Sequence, residues 1–271
     1  MNQVWVDGEL ASQVSPLDRG LAYGDGLFAT MRFSGGELQF LTAHLQRLTQ
    51  GARRLGLDWC AGDALITLIK QLATTHVDGC LKLILTRGVG GRGYTAPEQA
   101  SVTEVLSLST IPGHYGRWQT EGISLKTSEV MLAGQPLLAG IKHLNRLEQV
   151  LIKSKQLPVG FDDWLVMDRK HTVIESSMAN LFLVGEHCVF TPDISMAGVA
   201  GMMREQVIYA LIELGFDLHV GEVTYSQLSR CRHAFITNSL FGIVDINRID
   251  EIKFERAPFT DSIRHSLNLN L

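Results

Sequence analysis

Cysteine is scarce: the chain has four in 271 residues, Cys60, Cys80, Cys188 and Cys231, with no CxxC pair. That spacing excludes a disulfide frame or a cysteine zinc site and leads us to expect reduced thiols in a cytoplasmic protein. Charge of one sign is not in excess either. The 24 Lys and Arg stand against 28 Asp and Glu, a net charge of −4, which argues against binding nucleic acid through bulk charge. No apolar run approaches the ~18 residues of a membrane helix. The opening MNQVWVDGEL has neither a basic n-region nor a long apolar h-region, so no secretory signal is expected. Repeats, low-complexity tracts and charge blocks are missing as well. What remains is a globular mixture, 45% hydrophobic and 19% charged, too apolar for a disordered chain. It suits one large domain or two modest ones, carrying an enzyme or a small-molecule binder.

Hydrophobic periodicity divides the chain. Residues 3–7 and 31–40 alternate as strands do, the second pair turning at Ser34-Gly35-Gly36. Thr42 offers an N-cap for a helix over 42–55, with Leu45, Leu48, Ala52 and Leu55 at helical spacing. A second helix is expected over 62–75, and strands over 81–87 and 102–109. The segment IPGHYGRWQTEG at 111–122 has Pro, three Gly and no periodicity, and predicts a linker. We therefore expect a smaller N-terminal α+β domain at 1–112, a linker at 113–121 and a larger domain at 122–271 carrying Lys142. In the larger domain a helix is expected over 143–156, short strands over 163–169, 172–175, 180–184 and 188–191, and a helix over 202–214. Alternating strands and short helices then run to a final helix near 258–268. Many strands joined by hairpins as often as by crossovers predict an α+β fold with mixed sheets.

Several residues can carry chemistry, each with a plainer alternative. Gly201 opens the 202–214 helix, whose free first-turn N–H groups suit phosphate or carboxylate; many helices start so and bind nothing. Arg47, beside His44 on the 42–55 helix, reads as a solvated arginine. Lys142 follows a nearly uncharged stretch, Leu132 to Ala139. Poor solvation there favours the neutral, nucleophilic amine needed for imine chemistry, whereas a snorkelling lysine at a helix start is the bland alternative. Glu175, between Ile174 and the apolar Leu181–Val184 run, needs a partner if buried, either a protonated heterocycle or an internal arginine. Asn238 and Ser239 close a strand, where they present donors or simply turn the chain. RGVGGRGY at 87–94 lacks the Gly-Lys-Ser/Thr of a phosphate loop. Its four glycines let the backbone approach a ligand, with the Arg92 guanidinium free to fork onto a carboxylate, or else form a mobile surface loop. A non-enzymatic module holding an anion at the 201 helix remains open at this point.

Taken together, LDRGLAYGDGLFATMR at 17–32, HLQRL at 44–48, GIKHLNRLEQV at 140–150, IESSMANLF at 174–182, GMMRE at 201–205 and ITNSL at 236–240 resemble the fold-type IV pyridoxal-phosphate enzymes. That family includes branched-chain and D-amino-acid aminotransferases and aminodeoxychorismate lyases. Within it, 87–94 and 140–152 are similar to the lyase branch. The resemblance implies a two-domain fold: a small N-terminal α/β sandwich-like domain and a larger mixed β domain with flanking helices. It implies pyridoxal 5'-phosphate as cofactor, no metal, and cleavage of 4-amino-4-deoxychorismate to 4-aminobenzoate and pyruvate on the way to folate. An aminotransferase on the same scaffold is the alternative.

By the same resemblance Lys142 matches the Schiff-base lysine, Glu175 the carboxylate facing the pyridine nitrogen, and Arg47 a phosphate ligand. The N–H groups of Met202 and Met203 match the phosphate cradle, with Asn238 and Ser239 near it. Thr30 resembles the lyases' catalytic threonine, and Arg92 and Tyr94 are the candidates for the substrate's two carboxylates. Aminotransferases often carry a threonine where Met203 stands, and branched-chain enzymes a tyrosine near Arg146, so two cofactor contacts differ here. A cytoplasmic homodimer, free of membrane and nucleic acid and in transient contact with the synthase that makes the substrate, completes the expectation.

Overall fold

The computed structural model describes residues 3–11, 13–186 and 188–271. The chain forms two compact units: Met1–Ile111 with Ile141–Asn145, and Pro112–Gly140 with Arg146–Leu271.

The first unit contains β1 (Gln3–Val6), β2 (Glu9–Leu10), α1 (Arg19–Tyr23), β3 (Gly26–Ser34), β4 (Glu37–Leu38), α2 (Leu41–Arg54), α3 (Asp63–His76), β5 (Gly79–Thr86) and β6 (Thr103–Ser109). Its sheet runs β2-β1-β6-β5-β3-β4, antiparallel at every pairing. Alternation along the strands sorts the side chains between its faces. Leu27, Ala29, Met31 and Phe33 of β3 join Leu81, Leu83 and Leu85 of β5 and Leu106 and Leu108 of β6 in one core. Leu48 and Ala52 of α2 and Leu65, Ile69 and Leu72 of α3 complete it. The opposite face carries Phe28, Thr30, Lys82 and Ser107, all half-buried, and this is the face that presents chemistry.

The α2 helix starts one residue before the expected Thr42 cap. The hairpin ladder continues to Gln39, whose N–H donates to the Arg32 carbonyl at 2.9 Å, and Phe40 at φ 54° turns the chain into the helix. A side-chain cap is worth about 1 kcal/mol, too little to move a helix start set by a completed strand pair. The α1 helix escaped the periodicity reading because five residues span little more than one turn. Its ends were nevertheless marked: Asp18 caps the Gly20 N–H at 2.7 Å and Gly24 closes it at φ 65°.

The second unit contains α4 (Tyr115–Glu121), β7 (Ile123–Thr127), α5 (Leu147–Lys153), β8 (Asp163–Met167), β9 (Val173–Ser176), β10 (Asn180–Val184), β11 (Cys188–Pro192), α6 (Met202–Glu213), β12 (Asp217–Gly221), α7 (Tyr225–Leu228), β13 (His233–Asn238), β14 (Gly242–Ile249), β15 (Ile252–Lys253) and α8 (Thr260–Ser266). The strands follow the order β12-β11-β10-β13-β14-β7-β8-β9, and a β9–β10 pairing closes the path on itself. The closure falls at Glu175 opposite Asn180. Parallel pairs β14–β7, β7–β8 and β11–β12 mix with antiparallel ones, in line with the expected mixed sheet.

Two expectations about the domain plan need correction. The supposed linker 113–121 is largely the α4 helix, anchored in the second unit. Tyr115 and Trp118 pack on Phe241, with ring centroids 5.3 and 6.1 Å away, and Gln119 donates to the carbonyls of Phe241 and Leu269. Apolar burial at positions one turn apart outweighs the glycines that suggested a linker. The second correction concerns Lys142, expected within the 122–271 domain at the start of a 143–156 helix. The helix begins only at Leu147, and Ile141–Asn145 lies alongside β3 in the first unit. There the Phe28 N–H donates to the Lys142 carbonyl and the Leu144 N–H to the Gly26 carbonyl, both at 2.9 Å.

Candidate functional site

In the first unit, the segment Ile141–Asn145, bridged to β3 at His143 and Leu27, sets the Lys142 amine against β3. The Lys142 Nζ lies 4.6 Å from the centroid of the Phe28 ring. The same segment meets α2, because a Cβ added at Gly51 would stand 2.6 Å from Leu27 Cδ1 and 3.5 Å from Ile141 Cγ2. His44 and Leu48 belong to the buried side of α2 as Gly51 does. Arg47, read from sequence as solvated, is half-buried, and burial lowers its guanidinium to about 10.

His44 is 1% exposed, and among the described residues neither ring nitrogen finds a hydrogen-bond partner. Burial, aided by the positive charges of Arg47 and Lys142, pushes the imidazole down to about 3. The ring is therefore neutral at physiological pH, and the group lacks a third cation. This has a measurable consequence. Between pH 6.5 and about 3 the unfolded chain binds a proton here that the folded chain refuses. Stability therefore falls as pH falls through that window, by at most about 1.4 kcal/mol per pH unit. His44→Gln should flatten the dependence of Tm on pH between about 6 and 4; an unaltered slope would show that His44 titrates normally.

The second unit holds Glu175 on β9, 6% exposed. Its Oε2 accepts the Val199 N–H at 3.0 Å. Burial lowers the Arg146 guanidinium, while the Glu175 and Glu148 carboxylates favour its charge, so Glu175 sits in the field of an internal arginine, as one sequence alternative had it. Beside it, Gly198 has φ +86°, and a Cβ there would come within 2.7 Å of Ile174 Cγ2. At Gly201 a Cβ would meet Asn180 Oδ1 at 2.1 Å, while Asn180 Nδ2 donates to the Val199 carbonyl at 2.8 Å. Only glycine allows this close approach, and it brings the chain into α6 at Met202. Gly201 makes no side-chain cap, so the amides of Met202 and Met203, at the first turn, have no acceptor within the helix. Both side chains are buried, leaving the backbone as the polar surface. Asn238 serves the turn after β13: its Oδ1 accepts from the N–H groups of Leu240 and Phe241 at 2.9 and 3.0 Å. Ser239 is half-buried in that turn.

The glycine-rich loop is tethered in the first unit by a residue that the sequence reading passed over. Arg19 forks onto three loop carbonyls, those of Gly93 at 3.0 Å, Tyr94 at 2.9 Å and Thr95 at 3.3 Å. Its Nε binds Asp25 at 2.9 Å, and Arg87 grips the same carboxylate at 2.8 Å. The two guanidiniums hold the Asp25 carboxyl below its ordinary value against the opposing effect of burial. Gly88, at φ +78°, is needed at the loop's base, where a Cβ would meet the Ser101 carbonyl oxygen at 1.9 Å. Within this frame Arg92 is exposed and Tyr94 is 87% exposed, its ring edge-on to Tyr23 at 5.5 Å. Thr30 lies on the half-buried face of β3, opposite Lys82. Asp18 and Asp25, three residues either side of Leu21 and Ala22, were the available signals for the α1 hub.

Comparison with known proteins gives these residues a context. The family model for amino-transferase class IV matches residues 26–249. The aminodeoxychorismate lyase of Vibrio harveyi is 33% identical over 268 residues, covering 97% of this chain and 99% of that protein. The solved 4-amino-4-deoxychorismate lyase of Pseudomonas aeruginosa superposes with a TM-score of 0.92 at 38% identity, covering 99% of both chains. The branched-chain amino acid aminotransferase of Escherichia coli shares the fold with a TM-score of 0.84 at 18% identity, over 99% of this chain and 94% of that one. With the family model spanning most of its length, from β3 to β14, this chain belongs to the amino-transferase class IV family.

Proposed function

We propose that this protein is a lyase that converts 4-amino-4-deoxychorismate into 4-aminobenzoate, a folate precursor, and pyruvate, using pyridoxal 5'-phosphate. The observation that carries the reading is end-to-end similarity to the Vibrio and Pseudomonas lyases, at 33% and 38% identity. The residues present suit the cofactor. The charges of Lys142 and Arg47 both act on the buried, neutral His44, whose ring nitrogens find no hydrogen-bond partner among the described residues, and this positive field suits an anionic group. Glu175 is a buried carboxylate, and the α6 start exposes backbone donors.

When bound, pyridoxal phosphate supplies an electron sink for a carbanion beside an amine. The chain supplies the rest. In this reading Arg47 would be a phosphate ligand, and the amides of Met202 and Met203, Asn238 and Ser239 would serve as phosphate donors. Glu175 would pair with the pyridine nitrogen and favour its protonated form, which strengthens the sink. Lys142 would hold the cofactor and, as a free amine, would take the proton from the amine-bearing ring carbon. As the enolpyruvyl group leaves and the ring aromatises, Lys142 returns a proton to the departing three-carbon unit, acting as base and then acid. Thr30 stands on the face from which the amine works. Aromatisation drives the elimination, so the protein's main tasks are to activate one C–H bond and prevent amino-group transfer.

Arg92 and Tyr94 receive the substrate from the glycine loop in this reading. Arg92→Ala should raise KM about tenfold or more, the scale of one lost charge-assisted contact, with bound cofactor undisturbed; an unchanged KM would remove Arg92 from the pocket. The second reading, an aminotransferase, draws support from relatives such as the putative branched-chain aminotransferase of Methanocaldococcus jannaschii, 29% identical over 92% of this chain and 87% of that protein. Purified protein given aminodeoxychorismate, and separately an amino donor with 2-oxoglutarate, decides between them. Aminobenzoate supports the lyase; glutamate alone supports the transferase.

A homodimer working in the cytoplasm belongs to the same proposal, with transient contact to the synthase that supplies the substrate. Leu10, Leu17 and Leu21, at 70%, 65% and 68% exposure, offer apolar surface that a second copy would cover. The cysteines are free among the described residues, and no helix of the described residues is long and apolar enough to cross a membrane.

A further inference from the structure

The short α1 helix is bound both to the segment that carries Lys142 and to the glycine-rich loop. At its C-terminal end the Asn145 Nδ2 donates to the Gly24 carbonyl at 3.0 Å, three residues beyond Lys142. At its N-terminal end Val89 bridges to Asp18, and the Arg19 N–H donates to the Gly88 carbonyl at 2.9 Å. From there the loop folds over the Arg19 side chain. A Cβ at Gly90 would come within 2.5 Å of Arg19 Cδ, so glycine at that place lets the loop close over it. Arg19 is 3% exposed, and its terminal nitrogens donate to the carbonyls of Gly93, Tyr94 and Thr95. Asp25 fixes the guanidinium from the other side, at Nε. Arg87 shares that carboxylate and donates to the Leu55 and Gly56 carbonyls at 2.7 and 2.8 Å, where α2 ends. Residues 91–96 are themselves exposed, and the core of this unit contains none of them. A buried arginine spent on three carbonyls of an exposed loop therefore orders the loop and adds little to the core.

We infer that Arg19 is a positioning residue for the reaction: by clamping the carbonyls of 93–95 it holds Arg92 and Tyr94 in place relative to the Lys142 segment, with Asp25 orienting the guanidinium. The inference rests on the reading in which Arg92 and Tyr94 receive the substrate, and deepens it. Arg19 acts through the loop backbone and touches no substrate. A loop ordered only on binding would cost affinity, whereas one ordered beforehand does not. Replacing Arg19 leaves Asp25 paired with Arg87, so no buried charge is stranded.

The test uses the holoenzyme and the variants Arg19→Met and Arg19→Lys. Lysine keeps the charge but cannot reach three carbonyls and Asp25 together. Two quantities are read: the rate of tryptic cleavage after Arg92, identified by peptide mass, and KM against kcat. For Arg19→Met we expect cleavage there to quicken roughly 10- to 100-fold, because cleavage follows the population of the opened loop. KM should rise about tenfold, the scale of lost preorganisation, with kcat within a few fold and cofactor content unchanged. Arg19→Lys should behave like Arg19→Met, and it carries the test alone if the methionine variant does not fold. Wild-type values in the lysine variant would assign the effect to charge and overturn the clamp. Cleavage and KM both unmoved overturn the inference, as does either one moving without the other, or a fall in kcat alone. KM is taken for whichever substrate the wild type turns over. A protein that makes no aminobenzoate thus sinks the lyase reading, while the loop and KM measurements still decide the role of Arg19.

Discussion

Lys142→Ala should be without measurable turnover, at least about 10⁴-fold below wild type, because a proton-transfer role alone accounts for roughly 10²–10⁴ and the covalent anchor is lost with it. The position explains why no neighbour can substitute. Lys142 is fixed by backbone bonds to β3, its carbonyl taking the Phe28 N–H at 2.9 Å, and its amine lies on the Phe28 ring. Lys82 reaches that ring from β5, not from the segment that carries Lys142. Borohydride reduction of the holoenzyme followed by peptide mapping checks the assignment independently of rate. Label on the peptide containing Lys142 is the expected outcome. Label elsewhere, or an alanine variant that still turns over, sinks the mechanism.

The second large effect is expected at Glu175. Glu175→Gln preserves shape and an oxygen for the Val199 N–H, which Glu175 accepts at 3.0 Å, but removes the negative charge. Loss of a preorganised charge in a buried site costs roughly 10²–10³ in kcat. The cofactor should still bind, since its phosphate contacts lie elsewhere, while its absorbance shifts with the protonation of the pyridine nitrogen. The variant also leaves Arg146 without one of the two carboxylates that favour its charge. A kcat within a few fold of wild type, with an unaltered spectrum, would show that Glu175 is only the structural partner of Arg146.

How far the sequence could be read differs from residue to residue. Most elements followed local periodicity: α2, α3, α6 and the strands from β8 to β11 stand within a few residues of expectation. The apolar stripes of these segments report directly on burial, so pattern and structure agree. The failures share a cause. Thr42 lost its capping role to a strand pair completed by residues on both sides of a hairpin. The 113–121 segment was judged by its glycines, whereas the ring contacts of Tyr115 and Trp118 with Phe241 bridge more than a hundred positions. The role of Arg19 depends on carbonyls about 75 residues away along the chain, which no local pattern marks. Arg47 was read as solvated because a helix pattern shows which face is polar, not what later covers it.

By itself the sequence determined the element types, the apolar faces of the main helices and strands, and the identity of the chemical groups available: an amine at Lys142, a carboxylate at Glu175, a guanidinium at Arg47. Tertiary structure alone decided which unit Lys142 joins, that His44 is buried and neutral, that Lys82 shares a ring with the reactive amine, and that one arginine tethers the glycine loop. The division has a physical basis. Burial periodicity is written into neighbouring residues, whereas strand register, desolvation and charge proximity arise only when distant segments meet, and those set the reactivity of the groups the sequence supplies.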